Sequence, residues 1–159
     1  DEINDINNYR FINGDPLSGS KVEYSKYIGF YNNCLSIIEE GNNYRMLGWL
    51  PFMYNSVPSL SKTSFSWLFG GAKKVNTNLN GEERAIVVTG EMEKYFPMDI
   101  YPMQLIKACM RGDIEKMESL GIYEVVPEDF GLVDFSCTSK IEAQEIIKSG
   151  IEIMLKEVG

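Results

Sequence analysis

The sequence predicts an α+β chain in which a small antiparallel β-rich part precedes an α-helical part. Three observations carry this. Up to about residue 47, short apolar runs alternate with Asn/Gly turn clusters. From Asp99 onward, apolar residues recur at helical spacing between clear starts and stops. Between the two, Gly70-Gly71 and a stretch with Asn76, Asn78, Asn80 and Gly81 interrupt both patterns. The expected division is a β-rich segment over 1–70, a linker over 71–84 and a helical domain over 85–159.

Taken in order, residues 1–8 are acidic and Asn-rich, a weakly held lead-in. Tyr9-Arg10-Phe11-Ile12 reads as a strand that ends at the turn cluster Asn13-Gly14-Asp15-Pro16, and Ser18-Gly19-Ser20 supplies a second turn. These glycines lack both the Lys-Ser/Thr ending of a P-loop and a GxGxxG spacing, so a phosphate cradle is disfavoured. Tyr27-Ile-Gly-Phe-Tyr31 and Cys34-Leu-Ser-Ile-Ile38 flank Asn32-Asn33, which predicts a two-residue hairpin. Tyr44-Arg-Met-Leu47 would add another strand. Trp49, Phe52, Tyr54, Phe65, Trp67 and Phe69 make the next part aromatic, with one short helix expected over 61–69. A lid over the strands is preferred to a docking surface, because aromatics are usually core.

In the helical part, Pro102 suits a first helical turn, and the helix it opens runs to Arg111 and stops at Gly112. Asp113 then caps a second helix over 114–120, closed by Gly121. Ser139-Lys-Ile-Glu142 matches a capping box, which predicts a last helix over 140–157 with Ala143, Ile147, Ile151 and Met154 as its apolar stripe.

Composition excludes several functions. A net charge of −8 argues against nucleic acid or an anionic lipid surface as partner. No run approaches the roughly 20 apolar residues of a membrane-spanning helix. Histidine is absent, which removes imidazole catalysis and histidine-ligated metals from this chain. Three cysteines without close spacing suit a reducing compartment. The opening Asp1-Glu-Ile, with no methionine, is expected of a piece of a longer protein.

The motif that organises the chain is an emptied one. Ile86, Thr89, Met92 and Phe96, followed by Pro97, stand at the spacing C-x2-C-x2-C-x3-C-P that holds iron–sulfur clusters in bacterial ferredoxins. Pro127, Phe130, Val133 and Cys137 repeat the frame. Of the eight positions, only Cys137 offers a thiolate, so neither a cluster nor a zinc site is expected. Ile86, Phe96, Phe130 and Val133 are expected to fill the space that a cluster would take. Cys34 and Cys109 read as small buried hydrophobes, Glu128-Asp129 as a helix cap, and Glu91, Glu93 and Lys94 as a solvated turn. Catalytic, cofactor-binding and metal residues are therefore all expected to be absent.

With this frame in place, the chain resembles the C-terminal part of the A subunit of the sodium-pumping NADH:quinone oxidoreductases. The stretches that carry the likeness are Gly81-Glu-Glu-Arg84-Ala85, Phe96-Pro-Met-Asp-Ile100, Gly112-Asp113, Leu120-Gly121, Pro127-Glu-Asp-Phe130 and Cys137-Thr-Ser-Lys140. Many members carry a second cysteine at the position of Val133 and a proline at that of Thr138, and this chain has neither. The resemblance implies that 1–70 is the tail of an SLBB-like β-grasp module and that 85–159 is a cluster-less double-cluster helical ferredoxin. It also implies a cofactor-free region of a peripheral subunit on the cytoplasmic side of the bacterial inner membrane. That complex takes electrons from NADH to ubiquinone and exports sodium. Its other subunits, above all the membrane-embedded ones, are the implied partners, with quinone a further candidate. The alternatives are a quinone-type small-ligand module and a degenerate electron carrier retaining one metal.

Overall fold

A computed structural model describes residues 6–41, 68, 74–87 and 89–158. It divides into two compact units, Asp1–Glu82 and Glu83–Gly159. Among the described residues, the first holds a three-stranded antiparallel sheet and the second four α-helices. The expected strand at 44–47, the aromatic cluster and the helix over 61–69 fall outside the described residues, apart from Leu68.

In the first unit, β1 (Tyr9–Asn13) lies between β2 (Ser20–Val22) and β3 (Leu35–Glu39). The turn after β1 is built by Asp15, whose Oδ1 accepts the N–H of Leu17 at 2.8 Å and of Ser18 at 3.0 Å. The Ser18 hydroxyl also donates to this carboxylate and is the main reason its pKa lies below the usual value. These N–H groups are thus taken by the chain's own carboxylate, as a phosphate would take them.

The expected hairpin through Asn32-Asn33 does not form. Leu35–Glu39 pairs with β1 instead, with Asn13 opposite Leu35 and Tyr9 opposite Glu39. Residues 27–31 form no strand, because a turn closed by the Asn32 N–H donating to Gly29 O at 3.0 Å uses their backbone locally. At the far end of the sheet, Arg10 grips Glu40 through two nitrogens, Nε at 3.0 Å from Oε2 and Nη2 on Oε1. That pairing holds the Glu40 carboxyl below its ordinary pKa. Asn76 bridges Glu39 in parallel, and Thr77 donates its N–H to Glu39 O at 3.2 Å. This stretch of the expected linker is therefore hydrogen-bonded to the sheet.

In the second unit, α1 (Pro102–Arg111), α2 (Ile114–Ser119), α3 (Gly131–Ser136) and α4 (Ala143–Val158) enclose one apolar core. Proline opens α1 where its missing N–H costs nothing, and Gly112 ends it at φ 65°, a left-handed conformation that suits glycine. Asp113 caps α2 by accepting the Lys116 N–H at 3.3 Å. Met103, Leu105, Ile106 and Cys109 make the buried side of α1. Ala143, Ile147 and Met154 are buried on α4 while Ile151 packs at the margin, as the period of that stripe requires.

The start of α4 differs from expectation. Ser139 does not cap it; its hydroxyl donates to Ala85 O at 3.2 Å. Lys140 takes φ 51°, and the helix begins three residues later than predicted, at Ala143. Its cap is Asp134 of α3, which accepts Ala143 N–H at 2.5 Å, Gln144 N–H at 3.3 Å and Gln144 Nε2 at 2.9 Å. A carboxyl group from a neighbouring helix thus takes the place of the local serine as the acceptor for the first N–H groups of α4.

Candidate functional site

The site of interest is the junction between the two segments of the frame. The first segment approaches as a loop ending in a short 3-10 turn, Met92–Lys94, and the second as a 3-10 turn, Pro127–Phe130, running straight into α3. Asp129 fixes the latter start by accepting the Val126 N–H at 2.9 Å, so of the acidic pair it is Asp129 that caps.

Three polar contacts join the segments. Arg84 N–H donates to Ser139 O at 2.9 Å, Ser139 Oγ donates to Ala85 O at 3.2 Å, and Thr138 Oγ1 donates to Glu91 Oε2 at 3.3 Å. Glu91 thus has a defined partner, where the sequence predicts only a solvated turn. The charge pattern carried no signal for it, because the partner lies 47 residues away.

Of the eight frame positions, Met92, Phe96, Phe130, Val133 and Cys137 are buried. Ile86 and Pro127 are half-buried, and Thr89 is exposed. Phe130 and Val133 have no exposed surface at all. The rings of Phe96 and Phe130 meet with centroids 4.7 Å apart and planes tilted by 48°, a geometry that favours aromatic pairs.

A small cleft with about 10 Å³ of free space, room for about one water, is lined by Ile86, Thr89 and Met92 of the first segment and Cys137 of the second. Met103 from α1 closes its floor. That methionine lies outside the eight frame positions, on the buried side of α1.

The chemistry of this junction is limited. One thiol, a few hydroxyls and one carboxylate face the cleft, whereas an iron–sulfur cluster needs about four thiolates. The residues present do not fit such a group. No cluster of three or more Cys, His, Asp or Glu comes together among the described residues. Cys109 is buried against α4, and burial pushes its thiol pKa up to about 11, far from that of a nucleophile. Cys34 is exposed, against the expectation of a buried small hydrophobe, because it precedes β3 at the rim of the sheet rather than lying within the strand.

Fold and site together define an α+β protein with a small antiparallel sheet in one unit and, in the other, helices around an apolar core that includes Phe96, Phe130 and Val133. No family model matches the sequence. The A subunit of the Na(+)-translocating NADH-quinone reductase from Neisseria meningitidis serogroup C is 33% identical over 157 residues, 98% of this chain. Its counterpart in Pasteurella multocida is 34% identical over 157 residues, and that in Saccharophagus degradans is 35% identical over 155 residues, where 93% of the chain is covered. The chain spans about a third of the length of these relatives, 35%, 35% and 33% respectively. Over nearly its whole length the chain is similar to these A subunits of the Na(+)-translocating NADH-quinone reductase, consistent with the C-terminal part of such a protein.

Proposed function

We propose that the chain is a cofactor-free structural and interaction region of the A subunit of a sodium-translocating NADH-quinone reductase, a complex that passes electrons from NADH to ubiquinone and exports sodium. The observation that carries this reading is the alignment with those A subunits over nearly the whole chain. In this role the region lies peripherally on the cytoplasmic side of the membrane and docks against the membrane-embedded subunits. No helix among the described residues is long and apolar enough to cross a bilayer.

The junction supports the cofactor-free part of the proposal. In two-cluster ferredoxins the fourth ligand of each segment serves the other cluster. The grouping here is what that exchange would leave behind: Ile86, Thr89 and Met92 share a cleft with Cys137. Side chains have taken over the tie between the loops. Each buried one contributes roughly 1.5 to 3 kcal/mol, so Phe96, Phe130 and Val133 together offer a hold comparable with the stability of a small domain.

The test has two arms. Deleting 83–159 from the A subunit of the intact complex should leave the other subunits unable to retain it during purification. The isolated chain should neither oxidise NADH nor reduce quinone, and should show no visible absorption band when purified without air. Turnover by the isolated chain, or stoichiometric iron with such a band, would overturn the proposal. Saturable binding of quinone by the isolated chain would favour a small-ligand module instead.

A further inference from the structure

We draw no further inference here: the strongest candidate, the cleft lined by Met92, Met103 and Cys137 between the two frame segments, belongs to the junction already described and rests on a single thiol, and nothing among the described residues points to a ligand there.

Discussion

Phe130 is the side chain on which the helical unit leans most. It is fully buried, packs on Phe96 and joins the second segment to the first. Phe130→Ala should cost about 3–5 kcal/mol, a large part of what a small domain has, and denaturant unfolding would read it as a lowered midpoint. The thiols make a second prediction. Cys34 is exposed, while Cys109 and Cys137 are 6% and 4% exposed. A thiol reagent at mildly alkaline pH should therefore modify one cysteine quickly and the other two only on unfolding. Asp134 supplies a third. Burial raises its pKa, outweighing the opposing pull of its bonds to Gln144 and the backbone N–H of Ala143. A carboxyl raised in this way holds its proton more tightly folded than unfolded. Its contribution to stability is thus greatest below the ordinary carboxylate range and is lost as pH rises through the raised folded value. Asp134→Asn should abolish this step, so the stability of the unsubstituted chain relative to the variant should fall as pH rises through that window, as urea midpoints would show.

Helix α4 shows what one sequence can and cannot announce about an element. Its apolar stripe was legible, because Ala143, Ile147 and Met154 follow a 3.6-residue period whatever they pack against. Its start was not. A serine and a glutamate at capping-box spacing point to 140, but the backbone turns left-handed at Lys140 and the cap comes from another helix. No local pattern announces a donor–acceptor match nine residues apart. β3 misled for the same reason: Asn32-Asn33 is good hairpin chemistry, yet the partner strand lies on the other side, in β1. Gly150 adds a prediction at this scale. Helix propensity alone would favour Ala there by about 1 kcal/mol. A Cβ at Gly150, however, would sit 2.5 Å from Cys109 Sγ and 3.1 Å from its Cβ, where α1 and α4 cross closely. Gly150→Ala should therefore lower stability by about 1–3 kcal/mol net, measured as a thermal or urea shift.

At the scale of the molecule, the chain separates after Glu82 into two units with their own internal contacts. Residues 83–159 produced alone should give a helical circular dichroism spectrum and one cooperative unfolding transition. Loss of cooperativity would show that the unit depends on the rest. The candidate site was legible as a spacing, since the frame positions could be counted along the chain. Its closure was not, because the contacts that shut it, Arg84 to Ser139 and Ser139 to Ala85, span more than 50 residues. That span bears on how the protein is born. During translation α1 and α2 can settle on each other as soon as they emerge, since their bonds are local. The leading loop around Ala85 must wait for Ser139, and Phe96 for the ring of Phe130, so this edge of the core closes late on the nascent chain. Chaperones then have their longest opportunity to engage this surface just before the final turns of the unit leave the ribosome.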